Sequence, residues 1–173
     1  MFDKKFDIKI KKIDDKIEMP FFSKPFDSGI DLRSTHMATI KHGVISEIHT
    51  GLYVELPDPK DTFPFVLEMQ IRPRSGLARK EGIIVVNTPG TIDNQYRGEI
   101  IVLLTRLKYM SDKEKQENKS IFKQDELLIT TGERIAQAVI VPVLSTNMLN
   151  IVKVDEINKT FRGEDGMGST GIN

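Results

Sequence analysis

The chain has 173 residues, 39% of them apolar and 29% charged, proportions that suit one globular domain with a core to bury. Lys plus Arg and Asp plus Glu both number 25, so the formal charge is zero. No global field is available to hold a polyanion such as DNA, and any anionic ligand must be gripped by a local cluster of donors.

Cysteine is absent, which excludes disulfides, thiolate zinc sites and a Cys nucleophile. The three histidines, His36, His42 and His49, form no His-x-x-x-His pair that would suit a transition metal. No run approaches the roughly 18 apolar residues of a membrane span. The opening residues MFDKKFDIKIKKIDDKIEM carry alternating charge where a signal peptide has a continuous apolar stretch. The expectation is a soluble, intracellular (cytoplasmic) protein with neither nucleic acid nor membrane as partner.

From the N-terminus onward the dominant period is two. Phe6 to Lys11 alternates apolar with polar residues, as a half-buried strand requires. Runs rich in β-branched residues follow at 51–56, 63–71, 83–86, 99–107, 134–143 and 151–154. Turn chemistry separates them at Lys41-His42-Gly43, Pro57-Asp58-Pro59 and Thr88-Pro89-Gly90. Short strands at this spacing predict an all-β sandwich or barrel. One short helix is expected over residues 76–80, with Ser75 as its N-cap. Ser111 to Lys119 is wholly polar, so it reads as a solvated loop or hairpin tip. The tail from Phe161 holds four glycines, which lose much backbone entropy on ordering; it is expected to settle only over a ligand.

Five segments carry residues that plain structure does not need. In Asp27-Ser28-Gly29-Ile30-Asp31-Leu32-Arg33, Asp-Ser-Gly is a turn signal, but Asp31 lies between two apolar residues and calls for a cation, a metal-bound water or a backbone N–H. In Arg72-Pro73-Arg74-Ser75-Gly76-Leu77-Ala78, two guanidinium groups, a hydroxyl and helix N-terminal amides converge, which suits a phosphate as well as a capped surface helix. Asn87 to Glu99 reads as a β-hairpin whose main chain could recognise a nucleobase edge. Within it Asp93 is a candidate general base, and Tyr96 either stacks on a sugar or fills space. In Gly132-Glu133-Arg134-Ile135-Ala136-Gln137, Arg134 and Gln137 interrupt an apolar strand and need partners, for which a backbone group would suffice. The tail Arg162 to Gly171 offers Gly, Ser169, Thr170 and an Arg to a phosphate, without the Gly-Lys-Ser/Thr ending of a P-loop.

In order and spacing these segments resemble the five motifs of the homotrimeric deoxyuridine triphosphatases (dUTPases). The specific elements are Arg-Ser-Gly-Leu-Ala at 74–78, Gly-Thr-Ile-Asp-x-x-Tyr-Arg-Gly-Glu-Ile at 90–100, Arg-Ile-Ala-Gln at 134–137 and the Arg-Gly…Gly-Ser-Thr-Gly tail. The resemblance implies a β jelly roll over residues 1–160 and a flexible arm, residues 161–173, that closes over the active site. It implies a homotrimer with sites at subunit interfaces, Mg²⁺ as cofactor, and hydrolysis of dUTP to dUMP and pyrophosphate. This reaction limits uracil incorporation into DNA and supplies dUMP for dTMP synthesis.

By motif position, Asp93 resembles the residue that activates water and contacts the 3′-hydroxyl. Tyr96 is similar to the residue packed on the deoxyribose. Asn87, with the backbone of Gly90, Thr91 and Ile92, matches the uracil-reading strand, and Arg74, Ser75, Gly76 and Gln137 match phosphate contacts. Asp31 matches the position that holds magnesium through water. Arg162, Met167, Gly168, Ser169 and Thr170 match the arm, which in the family comes from another subunit. The family arm usually carries Gly-Gly-Phe-Gly, whereas here it reads Asp165-Gly166-Met167-Gly168; a thioether lacks the flat stacking face of Phe.

Two alternatives bear on this reading. The dCTP deaminases share the fold but place a catalytic Glu five residues past the motif Gly, where this chain has Leu103. A nucleotide-binding regulatory module that signals through residues 108–124 would have no use for Asp93. The departure at Met167 predicts weaker arm closure: Met167→Phe should lower the KM for dUTP in steady-state assays.

Overall fold

A computed structural model describes residues 5–107, 126–161 and 163. The strands are β1 (Lys9–Lys12), β2 (Gly29–Arg33), β3 (Ala38–Lys41), β4 (Ser46–Glu55), β5 (Phe65–Pro73), β6 (Ile83–Val85), β7 (Gly90–Ile92), β8 (Glu99–Arg106), β9 (Glu126–Ile129) and β10 (Arg134–Leu144). Two short helices, α1 (Pro59–Thr62) and α2 (Ser75–Glu81), and a single 3-10 turn (Thr146–Met148) complete the described elements. The strands form one four-stranded sheet in the order β1-β4-β8-β6, a second in the order β2-β10-β5-β7, and a β3-β9 ribbon. All ladders between these strands are antiparallel. This is the expected all-β, jelly-roll-like architecture.

Period-two patterning places the core. In β2, Ile30 and Leu32 point inward while Asp31 points outward. Ile48, Leu52 and Val54 of β4, Met69 and Ile71 of β5, Ile100, Val102 and Leu104 of β8, and Ile135, Ala136 and Ala138 of β10 join them in one cluster. Full burial of each large aliphatic side chain contributes about 1.5–3 kcal/mol. Ile8 and Ile10 pack against this cluster from the N-terminal segment, although the strand there covers only Lys9–Lys12.

Three expectations need correction. Residues 151–154 form no strand: Ile151 is fully exposed and the segment has no regular secondary structure. Pro57-Asp58-Pro59 is not a bare turn but the start of α1, where the Asp58 carboxylate accepts the Lys60 N–H at 2.8 Å as an N-cap. Ser75 is the first helical residue of α2 and Arg74 occupies the N-cap, with no side-chain capping bond.

One junction stitches the first sheet. Between the pairs His49↔Ile101 and Tyr53↔Glu99 the register shifts, leaving extra residues on β4. The Glu99 carboxylate fills this bulge, accepting the Gly51 N–H at 2.7 Å and meeting His49 Nδ1 at 2.9 Å. Gly51 has φ +65°, and a Cβ there would collide with Ile17 and press on Ile13 and Thr35, so glycine is required. Burial pushes the Glu99 pKa up, but the His49 ring and the Gly51 and Thr50 amides outweigh it, and the carboxyl lies below its ordinary 4.5. A depressed carboxyl stabilises the fold above its unfolded-state pKa, and that stabilisation is lost as pH falls through the folded value. Glu99→Gln should therefore cost about 1–2 kcal/mol near pH 7, and the difference from wild type should shrink below pH 4.5 in urea melts followed against pH.

Candidate active site

The second sheet builds the polar cluster. Its strand β10 lies between β2 and β5, with Gln137 opposite both Asp31 and Arg72, so these three side chains share one row across the sheet. Gln137 donates from Nε2 to the Pro73 carbonyl at 2.9 Å. The backbone partner that would satisfy a lone strand Gln is thus present, and among the described residues one amide hydrogen and the amide oxygen have no further partner. Gly29 makes room for this side chain: a Cβ on it would lie 2.7 Å from Gln137 Oε1.

Asp31 is the hub. Arg74 Nε donates to its Oδ1 at 2.9 Å, and Arg134 Nη1 donates to its Oδ2 at 3.3 Å. Arg74 Nη1 also donates to the Arg134 carbonyl at 3.1 Å. The cation that the sequence pattern demanded for Asp31 is a pair of guanidinium groups. Next to Arg74, the amides of Ser75, Gly76 and Leu77 precede the first helical bond, Ala78 N–H to Arg74 C=O at 3.0 Å, and such leading amides attract anions. The cleft beside Asp31 and Arg134 has a volume of about 50 Å³, enough for a water or an ion and far below the roughly 300 Å³ or more of a ligand pocket.

The 87–99 segment is not a self-paired β-hairpin. Strand β7 pairs with β5, at Met69↔Ile92 and Ile71↔Gly90, whereas β8 pairs with β4 and β6. The segment therefore crosses between sheets. Its first bend packs Asn87 against Gly90, where an added Cβ would lie 3.1 Å from Asn87 Nδ2. Its second bend runs from Asp93 to Tyr96, closed by Tyr96 N–H to Asp93 C=O at 3.0 Å. Buried Asn94 pins that bend, donating to the carbonyls of Pro57 at 2.9 Å and Leu67 at 3.2 Å. Tyr96 lies over Gly98 and donates to the Glu99 carbonyl at 3.0 Å, with 42% of its surface exposed. The Asp93 side chain is exposed and makes no hydrogen bond among the described residues.

Within one chain the two halves stay apart. Asp93 follows the Met69↔Ile92 pair, while Gln137 faces Arg72 at the far end of β5; strand rise and spacing put them roughly 15 Å apart. Asp31, Arg74, Arg134 and Gln137 come together, with Ser75 and Gly76 adjoining. Asn87, Gly90, Thr91, Ile92, Asp93 and Tyr96 follow one another along β7 and its two flanking bends, Gly90 beside Ile71 and Ile92 beside Met69. Arg162, Met167, Gly168, Ser169, Thr170 and the 108–124 segment lie outside the described residues.

The dUTPase family model matches residues 15–111 and 120–171. This chain belongs to the dUTPase family. A deoxyuridine 5′-triphosphate nucleotidohydrolase of Alkaliphilus metalliredigens is 42% identical over 167 residues, covering 96% of this chain and 99% of the relative. One from Nautilia profundicola is 43% identical, covering 95% and 98%. Among solved structures, a Staphylococcus bacteriophage 80alpha dUTPase with dUPNHPP is 25% identical with a TM-score of 0.72, covering 96% of this chain and 99% of that one.

The dUTPase motifs leave two residues unassigned that the fold makes structural members of the site. Gly29 was legible as a turn signal, but its contact with Gln137 depends on β2 and β10 being neighbours. Asn94 reads as turn polarity until its two carbonyl partners are seen. Gly29→Ala should leave the melting temperature within a few degrees, because the atom it meets ends a flexible side chain, yet displace Gln137. The expected result is a rise in KM for dUTP of about tenfold, worth 1.4 kcal/mol, measured beside a thermal melt.

Proposed function

We propose that this dUTPase-family chain hydrolyses dUTP to dUMP and pyrophosphate in a site completed by copies of itself, as a homotrimer. The separation of the Asp93 bend from the Arg74–Gln137 cluster carries this reading. Among the described residues each half faces outward and neither encloses a nucleotide, so a site that needs both is built between chains. Exposed Phe21, Phe22, Ile151, Ile157 and Phe161 support an assembly that covers apolar surface.

In this reading Asp93 has the free carboxylate of a general base: it orients a water and takes its proton as the oxygen attacks phosphorus. Negative charge develops on the departing pyrophosphate. Arg74, the Ser75 and Gly76 amides and Gln137 are donors already aimed outward, and preorganised donors lower the barrier where such charge grows. A Cβ built on Gly76 meets nothing within 4 Å among the described residues, so no packing there demands glycine, and the bare position suits close approach of a phosphate. The main chain of Gly90, Thr91 and Ile92, with Asn87, reads the uracil edge, and the Tyr96 ring packs on the deoxyribose. Residues 161–173 act as the arm, with Arg162, Ser169 and Thr170 toward the phosphates and Met167 and Gly168 over the base.

The donor set fits magnesium in one way. The described residues contain no group of three His, Cys, Asp or Glu able to cage a metal ion. Mg²⁺ commonly takes substrate phosphates and waters with one or two carboxylates. Asp31 keeps lone pairs beyond its two guanidinium contacts, so it would hold the ion through a water. When bound, the ion neutralises phosphate charge.

Asp93→Asn should reduce kcat by about 10²–10⁴-fold while a non-hydrolysable dUTP analogue still binds. Light scattering on the wild-type chain should give the mass of three copies. A fully active monomer, or an Asp93→Asn variant with wild-type kcat, would overturn the reading.

A further inference from the structure

The register of strand β10 against β2 steps at one place, from Arg134↔Arg33 to Ala136↔Leu32, and Ile135 and Ala136 are consecutive residues that are both buried, at 1% and 0% exposure. That is a β-bulge, a device that re-aims side chains beside functional sites. Counting back from outward-facing Gln137 in a regular strand, Ala136 would face in, Ile135 out and Arg134 in. With the bulge absorbing one residue, Arg134 faces out, onto the side that holds Asp31.

From this geometry we infer that Arg134 is a positioning residue for the triphosphate: it holds Asp31 with its guanidinium and Arg74 with its carbonyl oxygen. The inference rests on the hydrolytic reading above. Three contacts close a ring: Arg74 Nε to Asp31 Oδ1 at 2.9 Å, Arg134 Nη1 to Asp31 Oδ2 at 3.3 Å, and Arg74 Nη1 to the Arg134 carbonyl at 3.1 Å. Two adjacent nitrogens of the planar Arg74 fork are therefore fixed, and Nη2 has no partner among the described residues. A guanidinium held in this way presents its remaining edge to a phosphate with its orientation already set. The neighbouring cation Arg33 is engaged elsewhere, donating to the Gly132 carbonyl at 2.9 Å and pairing with Glu18 at 3.0 Å.

A double-mutant cycle tests the inference. Affinity for a non-hydrolysable dUTP analogue is measured by calorimetry in metal-free buffer, and kcat and KM for dUTP in the presence of Mg²⁺. Arg134→Gln should weaken analogue binding by about tenfold in the wild-type background and by less than about twofold in an Arg74→Gln background, since residues acting as one unit are not additive. Only one Arg134 side-chain N–H is used in the ring, so Arg134→Lys should restore most of the affinity. Should Arg134→Gln not fold, Asp31→Asn in metal-free buffer probes the same ring, with the same expected non-additivity against Arg74→Gln. Equal losses in both backgrounds, or Arg134→Lys no better than Arg134→Gln at unchanged melting temperature, would overturn the inference. Wild-type turnover of dUTP is the separate control: if that is missing, the hydrolytic reading falls instead.

Discussion

The register of β10 against β2 and β5 is the constraint on which the rest depends. Side chains alternate between faces, so the pairing that buries Ile30, Leu32, Ile71 and Ala138 turns Asp31, Gln137 and Arg72 outward in one row. A slip by one residue would bury a carboxylate and a guanidinium and expose aliphatic groups. The core and the polar cluster are thus specified by the same hydrogen-bond ladder, and the hydrophobic effect holds the cluster's geometry without touching the cluster itself. The bulge at Ile135–Ala136 is the local exception that adds Arg134 to the outward face.

The same sheet also divides the chemistry. Strands β2, β10 and β5 hold or lead into the Asp31–Arg74–Arg134–Gln137 cluster at the Pro73 end of β5, and the β7 edge leads into the Asp93 bend beside the middle of that strand. Rigid antiparallel pairing leaves no hinge that could fold one onto the other within a chain. Asp93 and Arg134 are both exposed in the single chain, as the assembly proposed above requires. Among the described residues Arg74 pairs with Asp31 and Asp93 has no ion-pair partner, which suits the general-base role proposed above.

Much of the fold was legible because alternation survives in single strands. The runs at 83–86, 99–107 and 134–143 needed no partner to be recognised. Segments 151–154 looked the same, yet form no strand, since β-branched residues favour a ladder only where another strand's donors and acceptors await. Ser75 looked like an N-cap by residue type, but the extended backbone of Arg74, φ −86° and ψ 126°, begins the helix one residue earlier. Asn87 to Glu99 looked like a hairpin because two turn signals flank a short strand; the arms in fact join different sheets.

By itself the sequence determined the all-β class, the core face of most strands and the family to which the chain belongs, because periodicity and motif spacing are properties of the chain written linearly. Which donors meet which acceptors was decided only in three dimensions. Asp31 lies 43 residues from Arg74 and 103 from Arg134, and Gly29 reaches Gln137 through a strand pair closed late in the chain. The Arg134 contact depends on a bulge whose extra residue is invisible until β10 has a partner to be out of register with. Long-range register sets these contacts, and register is a relation between strands.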